Sequence, residues 1–435
     1  MDPLWWHLLC RYIKLISSDL QDLKPVDANI RERSKPNGKG YTMSVSLSAD
    51  ASDRDECTSQ TSSDLYDHEP FETFSHKVHS LLTTIFPDDL PIQVERMSGG
   101  SYNRVVRGVL GCDQLCPRCV VVRIPRFTYC SHLNEVALLR FLRSNTALPV
   151  PSVLHFSTSS SNIISDPFMI LEHLPGNCLG GVYDDLPIYI KKSVVRSLVR
   201  LLKQLSEVTF DAIGTLLSAS PDGFGIQIGH PVNVVDETQI VPPPSPACAR
   251  SIRSYLEERW SFFVAEEQRR NPGDTFDLRF TSAFRAAMDI LPIPDADVPA
   301  RIMVHHTDLA PRNIFIDTRS GEITGVLDWD RAESAPVEAA WQMPAWLWDQ
   351  VAGGSTQLKW VDPDAIPLDP GAAEIRLLFL DEIEIAIPGF VQTVRHNKLI
   401  FELLTFARLG LCSEEIIQQA RDFLATMNIE IAPVT

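Results

Sequence analysis

The stretch from residue 305 to residue 330 constrains the fold of this chain more than any other part of its sequence. It contains the polar pattern H-x-D-x-x-x-x-N, which is formed by His306, Asp308 and Asn313. An apolar Ile-Phe-Ile run follows directly, and after a polar turn a second apolar run ends in Asp328-Trp329-Asp330. Short β-branched runs bounded by turn residues predict strands. The sequence therefore predicts a compact loop-strand-turn-strand unit that brings these polar and acidic residues together.

This unit contains the side chains that phosphoryl transfer requires. The reaction needs a group that orients and deprotonates the attacking hydroxyl, and metal ions that bridge the phosphates. Magnesium prefers oxygen ligands and keeps several waters, so one amide carbonyl and one carboxylate suffice from the protein. We predict Asp308 as the catalytic base, His306 as the catalytic-loop residue that braces it, and Asn313 and Asp328 as metal ligands. The adjacent His305 and His306 also raise a metallohydrolase as an alternative, which no further histidine cluster supports.

Several features upstream follow the order that a nucleotide site of this kind requires. A glycine-rich turn between two predicted strands would let backbone N–H groups approach phosphates. A cation on the third predicted strand, Arg123, would pair with phosphates and with Glu135 on the next helix. Glu172 ends the last predicted strand of this lobe, where backbone groups could bind adenine. Each feature also has an ordinary structural explanation. The glycine-rich turn could be a simple hairpin turn and Arg123 a charge at a sheet edge, while Glu135 could lie on a solvated helix face and Glu172 at an ordinary strand end. The predicted cofactor-binding residues are Gly99, Gly100, Ser101, Arg123, Glu135 and Glu172.

Two hydrophobic patterns divide the chain. Between residues 69 and 172, short β-branched stretches and two helical patterns predict a small lobe with five antiparallel strands, which binds the nucleotide. From residue 177 to 435, apolar residues three or four positions apart predict a larger, mostly helical lobe with the catalytic loop and the acceptor site. Residues 1–68 are polar and rich in serine, and too few apolar side chains offset the entropy of ordering them. We predict an α+β fold preceded by a largely disordered tail or linker.

Composition narrows the class of partner. The net charge of −17 argues against nucleic-acid binding, because such proteins carry a basic face, and solubility is the simpler explanation of the charge. The nine cysteines are scattered and favour a reducing compartment, so we predict a cytoplasmic protein. No run approaches the roughly 20 apolar residues of a membrane span. The predicted partner is a small molecule, with neither nucleic acid nor membrane involved.

In this order, the motifs resemble those of the aminoglycoside phosphotransferase and choline kinase-like family of the protein-kinase-like superfamily, in particular its branch in filamentous fungi. The resemblance covers about Phe71 to Ala432. It implies a two-lobed protein-kinase-like fold with ATP between the lobes and Mg²⁺ beside it. The family's catalytic aspartate corresponds to Asp308, and its metal ligands correspond to Asn313 and Asp328.

Two departures from the kinase pattern stand out. Arg123 replaces the lysine that kinases typically carry, and a planar guanidinium is not equivalent to a compact ammonium at a phosphate site. Asp328-Trp329-Asp330 replaces the Asp-Phe-Gly of protein kinases, which is usual for the small-molecule kinases that the chain resembles. Asp330 could assist the metal or cap the segment that follows.

We therefore expect an ATP- and Mg²⁺-dependent phosphotransferase that moves the γ-phosphate to a hydroxyl of a small molecule. The alternative is a catalytically weak or inactive kinase-fold protein that binds or scaffolds partners, as Arg123 and the polar tail would allow.

Overall fold

The computed structural model describes residues 69–97, 103–112, 116–126, 132–230, 248–349 and 360–432. The segment predicted as a tail, 1–68, lies outside these ranges, as do Gly99, Gly100 and Ser101. The strands are β1 (Ile92–Arg96), β2 (Asn103–Leu110), β3 (Arg118–Pro125), β4 (Val153–Ser157), β5 (Phe168–Glu172), β6 (Asn177–Cys178), β7 (Gly214–Ser218), β8 (Ile226–Gly229), β9 (Ile302–His305), β10 (Ile314–Ile316), β11 (Ile323–Val326) and β12 (Glu333–Pro336). The helices are α1 (Phe71–Ile85), α2 (His132–Asn145), α3 (Leu179–Val182), α4 (Ile188–Glu207), α5 (Ile252–Arg270), α6 (Phe276–Ile290), α7 (Val337–Ala340), α8 (Pro370–Ala386), α9 (Phe390–His396), α10 (Lys398–Leu409) and α11 (Glu414–Thr426).

The N-terminal part is an antiparallel sheet of five strands in the order β1-β2-β3-β5-β4. Helix α1 covers one face of the sheet, because its apolar residues recur every three or four positions and form one buried stripe. Each such side chain contributes about 2 kcal/mol when it is fully buried. The stripe consists of Phe74, Val78, Leu81 and Leu82. The predicted α+β class, with five antiparallel strands, is confirmed.

The alternation of side chains along β3 decides which residue meets the site. Successive residues of a strand point to opposite faces of the sheet. Val122 and Ile124 are buried in the core beneath α1. Arg123 lies between them and therefore points to the other face, where α2 packs. An inward-facing arginine is thus placed opposite the helix that carries Glu135.

The C-terminal part is mostly helical and has two packed regions. Helix α4 packs against α8 and β9, and its core is continuous with the α2 face of the N-terminal sheet. A second core joins α5, α6, α10 and α11. Three helices begin at a side chain that accepts a backbone N–H three residues later, which satisfies one of the free donors at a helix start. These caps are Ser251, Asp369 and Ser413.

Two small sheets position the loops of the predicted site. β9 pairs with β12, and β12 pairs with the β7–β8 hairpin. β10 pairs with β11 on one side and with β6 on the other. The loop after β9 and the loop after β11 therefore lie next to each other, each anchored by a strand on both sides. In the part of the chain described here, no helix has both the length and the apolar character that a membrane crossing needs.

Candidate active site

Arg123 is at the centre of a charged cluster between the N-terminal sheet and the loop after β11. Its Nη1 donates to Glu135 Oε1 at 2.5 Å, and its Nη2 donates to Asp328 Oδ1 at 2.7 Å and to Asp330 Oδ2 at 3.3 Å. Asn103, with its amide oxygen turned toward the guanidinium, accepts from Nη2 at 2.7 Å and from Nε at 3.0 Å. Residues separated by about two hundred positions in sequence therefore converge on one guanidinium.

Burial and charge act in opposite directions in this cluster. The side chains of Arg123 and Glu135 are only 10% and 1% exposed. Burial opposes the charge of Arg123, but the three carboxylates outweigh it and hold the pKa of its guanidinium above the ordinary value. Burial also raises the pKa of Glu135, against the opposing effect of Arg123. Burial and the neighbouring Asp328 carboxylate raise the pKa of Asp330. Burial and the neighbouring carboxylates therefore disfavour full ionisation of Glu135 and Asp330, and Arg123 opposes that effect.

The loop after β9 holds Asp308 by hydrogen bonds from residues further along the same loop. The Asn313 amide nitrogen donates at 2.9 Å both to the Asp308 backbone oxygen and to Oδ2. Because that nitrogen is engaged, the carbonyl oxygen of Asn313 is the atom that could ligate a metal. Arg312 Nη2 donates to Oδ1 at 2.6 Å and to Oδ2 at 2.7 Å. Sequence reasoning missed Arg312, although its position four residues after Asp308 was a usable signal.

His306 connects the two loops. Its Nε2 donates to the Leu327 backbone oxygen at 2.8 Å, and its Nδ1 accepts the Asp308 backbone N–H at 3.3 Å. Burial lowers the pKa of His306, which keeps the ring neutral in this tautomer. The Leu327 N–H in turn donates to the Asn313 backbone oxygen at 2.8 Å. The residue before Asp328 is thus held on both sides by the loop that carries Asp308, as the predicted bracing role of His306 requires.

Both loops contain backbone in the left-handed region. Thr307 has φ +57° and Asp328 has φ +67°, directly beside or at the predicted catalytic and metal positions. Non-glycine residues in this region cost on the order of 1–3 kcal/mol, and they persist where surrounding contacts fix them. Here the contacts of His306 and Arg123 provide that restraint. The two carboxylates are therefore held in position by the fold.

The donor set fits a hard divalent cation. One guanidinium faces three carboxyl groups, so acidic groups outnumber the basic group among these contacts. Mg²⁺ is usually held by one or two carboxylates together with substrate phosphates and water. Among the described residues, no three His, Cys, Asp or Glu side chains form a metal-binding group of their own. Asp328 and the Asn313 carbonyl would thus hold such an ion together with phosphate oxygens.

The two adjacent histidines do not share a site. His305 Nδ1 lies 3.2 Å from Glu333 Oε1, a carboxylate that also pairs with Arg408 at 3.3 Å. His306 instead faces the Leu327 backbone. The ring nitrogens of the two histidines therefore have different partners, Glu333 on β12 and Leu327 in the loop after β11, so the geometry gives the metallohydrolase interpretation no support.

Glu172 lies at the end of β5, where the chain leaves the N-terminal sheet. Its side chain accepts from Ser152 Oγ at 2.6 Å, and its backbone N–H donates to the Ser152 oxygen at 2.9 Å. The next N–H, that of His173, donates to the Cys119 oxygen at 3.3 Å. The backbone N–H groups of Glu172 and His173 are therefore already engaged and are not free to donate to adenine. The glycine-rich residues predicted to contact phosphates lie outside the described residues.

A model of the phosphotransferase enzyme family matches residues 93–348, more than half of the 435 residues. Among curated proteins, clavilactone A biosynthesis cluster protein Y of Ampulloclitocybe clavipes is 26% identical over 224 residues, which are 49% of this chain and 52% of that protein. A subtelomeric hrmA-associated cluster protein of Aspergillus fumigatus is 25% identical over 158 residues, 35% of this chain and 29% of that protein. The chain thus spans about half the length of the first relative and less than a third of the second.

Solved structures to which the chain shows some similarity include the ADP-bound aminoglycoside phosphotransferase APH(2'')-Ib. It shows 12% identity and a TM-score of 0.45, and the match covers 81% of this chain and 97% of that chain. Another is a thermostable mutant of APH(4)-Ia in a ternary complex with AMP-PNP and hygromycin B. It shows 15% identity and a TM-score of 0.44, with coverage of 81% and 97%.

Proposed function

This chain belongs to the phosphotransferase enzyme family, and we propose that it transfers the γ-phosphate of ATP to a hydroxyl group of a small molecule in a Mg²⁺-dependent reaction. One observation carries the proposal. The loop with Asp308 and Asn313 is joined to the segment with Asp328 through Leu327, and that segment contacts the Arg123–Glu135 pair. This arrangement supports a reaction that needs a base, oxygen ligands for a metal and a buried cation close together.

Each residue has a separate part in this reaction. Asp308 accepts the proton of the attacking hydroxyl and orients its oxygen, while Asn313 and His306 keep the carboxylate in position. Arg123 pairs with the nucleotide phosphates, and Glu135 holds it in place. When bound through Asp328 and Asn313, Mg²⁺ would neutralise charge on the phosphates. The Glu172 carbonyl would accept a hydrogen bond from adenine, with Gly99, Gly100 and Ser101 over the phosphates.

The first experiment measures nucleotide affinity by calorimetry with and without Mg²⁺. Asp328→Asn keeps the shape of the side chain but removes its charge. We expect it to weaken binding of Mg·ATP by at least about tenfold, because even residues that only support metal ligands have effects of this size. The exposed Asp381 on α8 provides a control, and Asp381→Asn should bind like the wild type. Equal affinity in the wild type and in Asp328→Asn would remove Asp328 from the metal site.

The second experiment measures turnover, as ADP released with a panel of hydroxyl-bearing small molecules. Removal of a general base usually lowers the rate by about 100-fold or more. Asp308→Asn should show this loss and still bind Mg·ATP with nearly the wild-type affinity. Undiminished turnover in Asp308→Asn would exclude Asp308 as the base. Absence of Mg·ATP binding by the wild type at millimolar nucleotide would favour the scaffold alternative.

A cytoplasmic location remains a prediction from the scattered cysteines.

A further inference from the structure

Arg312 is a charged residue of the candidate site that the predicted mechanism leaves without a role. One of its terminal nitrogens donates to both oxygens of Asp308, at 2.6 and 2.7 Å. Asn313 takes a further position on Oδ2. A carboxylate offers about four lone-pair positions. These contacts fill three of them, so one remains on Oδ1 for the hydroxyl of an acceptor.

The guanidinium has further capacity for hydrogen bonds. Arginine carries five N–H groups. The two on Nη2 point at Asp308, and the three on Nη1 and Nε have no acceptor within the described part of the chain. The side chain is 51% exposed. The Arg312 side chain is therefore accessible to a ligand beside Asp308.

The backbone of Arg312 is fixed, in contrast to its exposed guanidinium. The residue lies in the short 3-10 turn Pro311–Asn313, against the start of α3. A Cβ on Gly180 would come within 3.3 Å of the Arg312 nitrogen, so the helix approaches the turn closely. Cys178 Sγ lies 3.4 Å from the Arg312 backbone oxygen. The fold therefore holds the base of this side chain beside Asp308.

Distances in the proposed reaction bring this guanidinium to the phosphate. A hydroxyl that donates to Asp308 has its oxygen about 2.7 Å from the carboxylate. The phosphorus atom that this oxygen attacks lies about 3–3.5 Å further away. The oxygens of the transferring group then come within reach of a guanidinium already bound to the same carboxylate.

We propose that Arg312 is a further catalytic residue, which orients Asp308 through Nη2 and binds the oxygens of the transferring phosphoryl group through Nη1 and Nε. This inference rests on the proposed phosphotransferase function. As the acceptor oxygen forms its bond to the γ-phosphorus, the bond from that phosphorus to the β–γ bridging oxygen breaks. ADP leaves with the electron pair, and the hydroxyl proton passes to Asp308. Arg312 neutralises charge on the phosphoryl oxygens while it keeps the base oriented.

The test compares the affinity for Mg·ADP with and without aluminium fluoride, which with ADP mimics the phosphoryl group in transfer. Calorimetry needs no acceptor. Transition-state analogues bind about 100-fold or more tightly than ground-state ligands, so fluoride should strengthen wild-type binding by about that factor. Removal of one donor to such a group costs about 100-fold or more. Arg312→Ala should therefore lose most of the fluoride gain and bind Mg·ADP alone as the wild type does.

Two more variants separate a catalytic role from a structural one. Arg312→Lys keeps a positive charge beside Asp308, but a single ammonium cannot reach the carboxylate and the phosphoryl oxygens together. It should also lose most of the gain, whereas a purely structural ion pair would be rescued by lysine. Arg196 on α4 pairs with Glu382 at 2.9 Å and is 49% exposed, so Arg196→Ala is a matched control that should keep the gain.

Each remaining outcome decides between the two proposals. An undiminished fluoride gain in Arg312→Ala or Arg312→Lys would overturn the catalytic role of Arg312 and leave the phosphotransferase function intact. Wild-type binding of Mg·ADP without any gain from fluoride would overturn it as well. Failure of the wild type to bind Mg·ADP at all would instead refute the phosphotransferase function itself.

Discussion

Replacement of Glu135 tests the charged cluster most directly. Glu135→Leu leaves the guanidinium of Arg123 buried without its shortest ion pair, which spans 2.5 Å. Loss of one partner of a buried pair typically costs about 3–5 kcal/mol. Arg123 keeps Asp328 at 2.7 Å and Asp330 at 3.3 Å, which places the cost near the lower end. The buried Trp329 N–H also loses its acceptor at 3.3 Å, which adds about 1 kcal/mol. We expect a loss of about 3–4 kcal/mol in the free energy of unfolding.

Urea unfolding followed by tryptophan fluorescence measures this loss. Glu72→Leu is the matched control, because Glu72 pairs with Arg96 at 3.1 Å but is 75% exposed, and such surface pairs contribute about 1 kcal/mol or less. The double variant Arg123→Met with Glu135→Leu removes the stranded charge as well. It should therefore be more stable than Glu135→Leu alone. Two results would refute this account. In the first, Glu135→Leu is at least as stable as Glu72→Leu. In the second, the double variant is less stable than Glu135→Leu alone.

Two further predictions concern stability. Burial, and to a smaller extent Arg123, lowers the pKa of His132 in the folded protein to about 3. In the unfolded chain the pKa of a histidine is about 6.5, so between these two values only the unfolded chain binds the proton. The free energy of unfolding therefore falls as the pH falls below about 6.5. Between pH 7.5 and 5.5, His132→Phe should therefore lose about 1 kcal/mol less of its free energy of unfolding than the wild type does. Urea unfolding at both pH values measures this difference, and an identical loss in the two proteins would contradict the assignment. Gly176→Ala should destabilise the protein by more than about 1 kcal/mol, because φ is +104° and a Cβ would lie 2.5 Å from the Ile316 backbone oxygen. Gly181→Ala, where a Cβ meets nothing within 4 Å, is the control, and equal thermal stability of the two variants would contradict the prediction.

Local sequence patterns were sufficient for much of the architecture. The five strands predicted between residues 69 and 172 correspond to β1 to β5, and the long helices follow from apolar periodicity. Membership of the phosphotransferase enzyme family is confirmed. The roles of the individual site residues stay predictions. The structure nevertheless brings Arg123, Glu135 and Asp328 into direct contact, as their order along the chain suggested.

The sequence did not predict the partners that depend on contacts between distant segments. Asn103 lies at the start of β2, and only the paired register with β3 brings it beside Arg123. The β7–β8 hairpin was missed because its strands are short and their apolar residues do not stand out from the loop around them. Pairing of this hairpin with β12 stabilises it, and such a long-range contact leaves no local periodicity.

That hairpin explains why Glu135 is held so firmly. The Ser218 backbone N–H donates to Asn134 Oδ1 at 3.0 Å, one residue before Glu135 on α2. Further along the same helix, Arg140 donates to the Asp222 backbone oxygen at 2.6 Å and lies 4.5 Å from the centre of the Phe224 ring. An element of the C-terminal part therefore fixes the helix of the N-terminal part from outside. Because Glu135 orients Arg123, and Arg123 reaches Asp328, the hairpin restrains the charged cluster of the candidate site through α2.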